Sequence, residues 1–215
     1  MLNAGIIGCG NIAWKWDTPR GGYFTTHAKS YYHTRGVRLV ACCDPCLQNA
    51  KGLARNYPGV SPYRDLETML SRHSLDIVSL CAPTQAHHGI LRRLLEGASI
   101  RYVLAEEPLA SNVREAEEVS ALAKKKKATI VVNYLRRWDV TLCGLKDIIE
   151  EDGLGKLKLG RIIYYGGFRR NGLHLADLLM RFGLTLRFVR ALSGVERYAG
   201  DFAASLYFTS DKGSP

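Results

Sequence analysis

The chain has 215 residues, 47% of them apolar and 23% charged, the composition of an ordinary globular protein able to bury a core in one large domain or two modest ones. No apolar run approaches the length of a membrane span, and no basic segment followed by an apolar run and a small-residue cleavage site opens the sequence, so no membrane partner and a cytoplasmic location are expected. The net charge of +10 invites a nucleic-acid reading, but residues 1–134 hold 17 Lys and Arg against 11 Asp and Glu, and residues 135–215 hold 13 against 9. The excess is spread rather than gathered into one stripe, and no nucleic-acid motif accompanies it.

Near the N-terminus an apolar run, Ala4 to Ile7, leads into Gly8-Cys9-Gly10-Asn11-Ile12-Ala13, the pattern G-x-G-x-x-A. Such a run reads as a buried strand ending in a tight turn. Gly8 permits the turn, Gly10 lets a diphosphate approach the backbone, and small Ala13 lets the following helix pack on the strand. The first N–H groups of that helix, around Asn11 and Ile12, then face the phosphates. A plain structural turn and a methyltransferase-like nucleotide site share the pattern.

Trp14 to Thr26 carries Pro19, Gly21 and Gly22 and interrupts the helix, and His27–Thr34 resumes it. Val37–Cys43 is an apolar second strand ending at Asp44. A carboxylate there accepts hydrogen bonds from the adenosine ribose and repels a ribose phosphate, which favours NAD, with NADP the alternative cofactor. Asp44 also suits a turn with Pro45. Helices follow at Leu47–Tyr57, Asp65–Ser71, His87–Glu96 and Val113–Lys126, and strands at Leu75–Cys81, Arg101–Leu104 and Thr129–Val132. This alternation predicts an α/β fold, a doubly wound parallel sheet of the Rossmann kind over residues 1–134. The run Lys124–Lys127 closes a helix that begins with Glu115, Glu117 and Glu118, which suits the helix dipole. Cys43-Asp-Pro-Cys46 is formally C-x-x-C, but no second ligand pair accompanies it, so no metal is expected.

Beyond Tyr134 a helix is expected over Leu142–Glu151, a strand over Leu157–Gly166, an amphipathic helix over His174–Phe182 and a strand over Asp201–Thr209 before the turn-like DKGSP. Residues 135–215 thus read as a partial, C-terminally shortened α/β domain with a small open sheet, serving substrate binding or oligomerisation. Two or three strands make a poor core with unprotected edges, so a homo-oligomer and a monomer are both open.

Six segments in order carry a resemblance: Gly8 to Ala13, Ala41 to Asp44, Ala82-Pro-Thr-Gln-Ala-His87, Ala105-Glu-Glu-Pro-Leu-Ala110, Asn133-Tyr-Leu-Arg-Arg137 and Asn171-Gly-Leu-His-Leu-Ala-Asp177. Together they resemble the glucose–fructose oxidoreductase / inositol dehydrogenase family (Gfo/Idh/MocA). The resemblance implies a hydride transfer between NAD(P) and a secondary alcohol or keto group of a sugar-, cyclitol- or nucleotide-sugar-like small molecule. It also implies roles for residues. Ala82, Pro83 and Thr84 would shape the loop under the nicotinamide ribose, with His87 opening the next helix nearby. Glu106 would contact the nicotinamide side. Arg136 and Arg137 would hold a substrate carboxylate or phosphate, or stand as a solvated pair. His174 would move the proton, as an imidazole titrating near neutrality can, and Asp177, one helical turn on, would touch substrate or tune it.

One departure stands out. The family motif is Glu-Lys-Pro, and this chain has Glu106-Glu107-Pro108. The lysine is expected to polarise the reacting carbon–oxygen bond, whereas an anion at Glu107 would repel a developing alkoxide. Two adjacent carboxylates are also expected to push one carboxyl up. The alternative function is therefore a catalytically impaired dinucleotide-binding relative with a binding or regulatory role.

Overall fold

The computed structural model describes residues 1–17, 26–97, 100–150, 164, 167–183, 186–198 and 201–210. Nearly all of the expected Leu157–Gly166 strand, the DKGSP turn and most of the Trp14–Thr26 insertion lie outside them. The chain divides into two units, Met1–Asn133 and Tyr134–Pro215.

Six parallel strands build the first unit: β1 (Leu2–Ile7), β2 (Val37–Cys43), β3 (Ser61–Tyr63), β4 (Ile77–Leu80), β5 (Tyr102–Ala105) and β6 (Thr129–Val132). Their order is β3-β2-β1-β4-β5-β6, which makes the β1/β4 boundary the point where successive connections reverse direction. The register aligns the strand ends: Ile7 pairs with Cys43 and with Leu80, Leu80 with Ala105, and Ala105 with Val132. The ladder runs one step further through Gly8 N–H to Cys43 O, Cys81 N–H to Ile7 O, Glu106 N–H to Leu80 O and Asn133 N–H to Ala105 O, at 2.7–2.9 Å. Gly8, Asp44, Cys81, Glu106 and Asn133 therefore stand side by side along the carboxyl rim of the sheet.

Both faces are covered, as the near-continuous apolar strands require. Ala4 and Ile6 of β1 with Leu39 and Cys42 of β2 pack against Ala28 of α1 (His27–His33) and Ala50 and Leu53 of α2 (Leu47–Asn56). Ile7, Val78, Leu80 and Val103 point the other way. They meet Met69 of α3 (Leu66–Arg72), Leu91, Leu94 and Leu95 of α4 (Thr84–Gly97) and Val119 of α5 (Val113–Lys126). Each fully buried leucine contributes about 1.5–3 kcal/mol. Local signals set the helix ends. The Asp65 carboxylate accepts the Thr68 N–H at 2.8 Å, the Asn112 side chain accepts the Glu115 N–H at 3.0 Å, and Lys127 closes α5 in the left-handed region at φ 56°.

In the first unit four elements differ clearly from expectation. The three-residue β3 was not expected, and α4 starts three residues early, directly after Pro83. The strand expected from Leu75 begins only at Ile77. Leu75 packs over Gly5 instead, and the Asp76 carboxylate accepts the Asn3 N–H at 2.9 Å. The helix expected after the glycine loop is a single π-helical turn, Asn11–Lys15. That turn lays Trp14 on α2, where a methyl group added to Gly52 would come within 2.9 Å of the indole, and the Trp14 indole Nε1–H donates to Cys9 O at 3.0 Å.

In the second unit a 3-10 turn (Leu135–Trp138) precedes α6 (Val140–Glu150). A π-helical turn (Phe168–Gly172) leads into α7 (Leu173–Arg181), and β7 (Leu186–Tyr198) pairs antiparallel with β8 (Asp201–Ser210). β7 was not expected from the sequence.

Candidate functional site

The glycine loop sits at the end of β1, at the switch point where ligands bind in open α/β sheets. Gly8 has φ 86°, and a Cβ there would lie 2.7 Å from Ala82 N and from Cys81 C and O. Two independent constraints therefore demand glycine: the left-handed backbone and the abutting β4 loop. Gly10 is different. Its backbone is extended, and among the described residues a Cβ would meet nothing within 4 Å, which leaves the loop open on that side for a diphosphate to approach. Asn11 is exposed, Ile12 half-buried, and Ala13 fully buried against the α1/α2 side of the core.

Asp44 is fixed beside this loop. One carboxylate oxygen accepts the Cys9 N–H at 2.8 Å, and the other accepts the Cys46 N–H at 2.9 Å and the Asn49 side chain at 3.3 Å. Asn49 in turn accepts from the Lys15 ammonium at 2.9 Å. Three protein donors leave about one of the carboxylate's four acceptor directions for a ribose hydroxyl.

Across the switch point, Pro83 is exposed, while Ala82 and Thr84 are half-buried. His87 is buried to 1% exposure, with Nε2 2.9 Å from Ala82 O and Nδ1 3.3 Å from Leu109 O. The ring clasps the loop after β4 to the loop after β5, so its effect on a ligand passes through those two loops. The rim cysteines are held as thiols. Burial pushes Cys81 well above its ordinary value and Cys43 up to about 12, and a hydrogen bond with Cys42, then burial, pushes Cys9 up. None of them is activated as a nucleophile.

Glu106 anchors a network that the sequence did not reveal. Its Oε1 accepts from Asn133 Nδ2 at 2.7 Å and lies 2.7 Å from His27 Nε2. His27 Nδ1 is 2.9 Å from Ser79 Oγ, and Ser79 Oγ is 2.7 Å from Tyr31 Oη. His27 and Ser79 are buried. Burial alone pushes the Glu106 carboxyl up, but the hydrogen bonds from His27 and Asn133 outweigh it and hold the carboxyl below its ordinary value. At Glu106 the expected upward push from a neighbouring carboxylate therefore gives way to a downward one. Glu107 is half-buried and joined to Pro108 by a cis peptide bond.

In the second unit, Arg137 and Asp177 hold each other. The Arg137 Nε donates to both carboxylate oxygens, at 3.0 and 2.7 Å, and a terminal nitrogen donates to Oδ1 at 2.5 Å. Asp177 is 8% exposed, and its hydrogen bond raises the Arg137 guanidinium further above its already high value. Arg136 is exposed. His174, half-buried on the first turn of α7, meets Tyr134 edge-to-face with centroids 5.6 Å apart. The sequence singled out Arg137 and Asp177 separately, whereas the structure makes them one fork-shaped ion pair.

Residues 2–134 match the family model described as an oxidoreductase family with an NAD-binding Rossmann fold. The chain belongs to the Gfo/Idh/MocA family. Among its curated relatives is the D-glucoside 3-dehydrogenase of Escherichia coli K12, 31% identical over 157 residues, which cover 73% of this chain and 41% of that protein. The chain thus spans about two-fifths of that relative's length. Among solved structures, a 3-ketoreductase from Actinomadura kijaniata in complex with TDP-benzene and NADP superposes with a TM-score of 0.79 at 21% identity, covering 99% of this chain and 66% of that one. The WlbA dehydrogenase of Bordetella pertussis in complex with NADH and UDP-GlcNAcA gives 0.78 at 19%, covering 95% and 66%. At these identities the superpositions establish the fold of this Gfo/Idh/MocA chain.

Proposed function

We propose that the chain binds NAD along the carboxyl rim of the first unit, and that it serves an oxidoreductase acting on a secondary alcohol or keto group of a sugar-, cyclitol- or nucleotide-sugar-like substrate. The observation that carries the reading is the contrast within the glycine loop. Gly8 has no room for a side chain, a Cβ at Gly10 would meet none of the described residues, and Asp44 is fixed beside them by the Cys9 N–H. The adenosine ribose belongs at Asp44, and the nicotinamide half belongs over β4, β5 and β6, where Glu106 and Asn133 stand. When bound, nicotinamide supplies or accepts the hydride. His174 carries the proton of the reacting oxygen, and Arg136 meets an anionic substituent on the substrate. Arg137 orients Asp177, which shapes the start of α7 around His174. The sugar-linked ligands and names of the relatives support the substrate class.

Glu107 favours a second reading, in which the cofactor binds but hydride transfer is impaired because a carboxylate stands where the family motif has a lysine. The protein and a Glu107→Lys variant would be titrated with NADH by fluorescence and then assayed on a panel of sugar derivatives. Turnover by the unaltered chain supports the oxidoreductase reading. Binding by both with turnover only by the variant supports impairment, and binding by neither sinks the cofactor assignment.

A further inference from the structure

The network behind Glu106 has a direction. A carboxylate can only accept, so His27 Nε2 carries the proton it donates to Glu106 Oε1. In the neutral ring Nδ1 then accepts from the Ser79 hydroxyl, and Ser79 Oγ is left to accept from the Tyr31 hydroxyl. The tautomer that serves Glu106 is thus set by a serine in the middle of the sheet, 0% exposed, and not by solvent. Both donors, His27 and Asn133, use Oε1, and the Glu106 side chain keeps 18% of its surface exposed. A carboxylate pinned through one oxygen at a sheet rim offers the other, in a fixed orientation, to a donor outside the protein.

We propose that His27, its tautomer fixed by Ser79, is the positioning residue that turns Glu106 Oε2 toward a hydroxyl or amide donor on the nicotinamide half of the bound dinucleotide. The proposal rests on the cofactor reading above and adds a residue that none of the six motifs contains. Its placement follows from topology. Ser79, Glu106 and Asn133 belong to β4, β5 and β6 or their tips, the half of the sheet that takes the nicotinamide mononucleotide, whereas Asp44 belongs to the adenosine half. Disturbing His27 should therefore weaken one half of the ligand and spare the other.

The test compares NADH with ADP, which lacks the nicotinamide nucleoside, on the full chain by titration calorimetry. His27→Leu removes both ring nitrogens and is expected to weaken NADH binding about tenfold while leaving ADP within about twofold of the unaltered protein. His27→Gln keeps an N–H that reaches Glu106 and is expected to recover NADH affinity to within about threefold. Ser79→Ala removes only the tautomer-setting hydroxyl and should cost NADH about threefold with ADP unchanged, which keeps the test open if the leucine variant does not fold. Unchanged NADH affinity in His27→Leu or Ser79→Ala overturns the proposal. So does an equal loss of NADH and ADP, the signature of a purely structural histidine, and so does a glutamine variant no better than leucine. ADP binding without NADH binding by the unaltered chain removes the nicotinamide placement. Failure to bind either overturns the cofactor reading itself, and the proposal with it.

Discussion

Gly8 and Gly10 stand two residues apart in one loop, yet alanine should injure them in opposite ways. At Gly8 the φ of 86° costs an L-residue about 1–2 kcal/mol. The added Cβ would also lie 2.7 Å from three backbone atoms of Cys81 and Ala82, which must shift and cannot rotate away. Overpacking of that kind costs about 1–3 kcal/mol, so Gly8→Ala should destabilise by about 2–5 kcal/mol, a large share of the 5–15 that ordinarily holds a domain. For a unit of this size the melting temperature should fall by roughly 10 °C or more. At Gly10 an added Cβ would meet no described residue within 4 Å and the backbone is extended, so alanine should leave stability within about 1 kcal/mol of the unaltered protein. The methyl group would instead stand where the diphosphate approaches, and NADH affinity should fall by about tenfold or more. Calorimetric melting and NADH titration of both variants give the two readouts. A Gly8→Ala protein melting like its parent would refute the steric argument, and a Gly10→Ala protein binding NADH like its parent would put the diphosphate elsewhere.

Other consequences follow from the two charged clusters. Removing Arg137 (Arg137→Met) leaves Asp177 buried without its fork. Because the arginine side chain is 42% exposed, the cost should be about 1–3 kcal/mol rather than that of a fully buried pair, and Asp177→Asn should cost less in parallel urea titrations. Glu106 has a folded-state pKa below its ordinary 4.5, so its contribution to stability is present above that value and is lost as pH falls through the lowered one. The stability gap between the protein and Glu106→Gln should accordingly be full at neutral pH and vanish in acid; a gap that widened on acidification would reverse the assigned direction. Under the impaired reading, Glu107→Lys should restore turnover on a sugar-derivative panel without changing NADH affinity more than about threefold, because the change returns the cation of the family motif.

The sheet was largely legible because its elements announce themselves by period and caps. Val37–Cys43, Val113–Lys126 and Thr129–Val132 have the same bounds in sequence and structure, and α5 is framed by a capping Asn112 and a left-handed Lys127. β3 was hidden because three residues containing Pro62 show no alternation. β7 was hidden because its pairing with β8 shifts register at three places, which breaks the two-residue period. At the site, Gly8, Asp44 and Glu106 were visible through local motifs. Their supports were not: His27 and Glu106 are 79 residues apart, His27 and Ser79 are 52 apart, and a serine inside an apolar strand gives no local sign of a partner. Arg137 and Asp177, 40 residues apart, were visible as residues and invisible as a pair.

Calorimetric titration of the folded chain with NADH, with ADP as competitor, tests dinucleotide binding at the carboxyl rim of the sheet. Saturable binding of one NADH per chain is expected, displaced by ADP and abolished or strongly weakened in Gly10→Ala. A chain that melts cooperatively yet shows no heat of binding with NADH would contradict it.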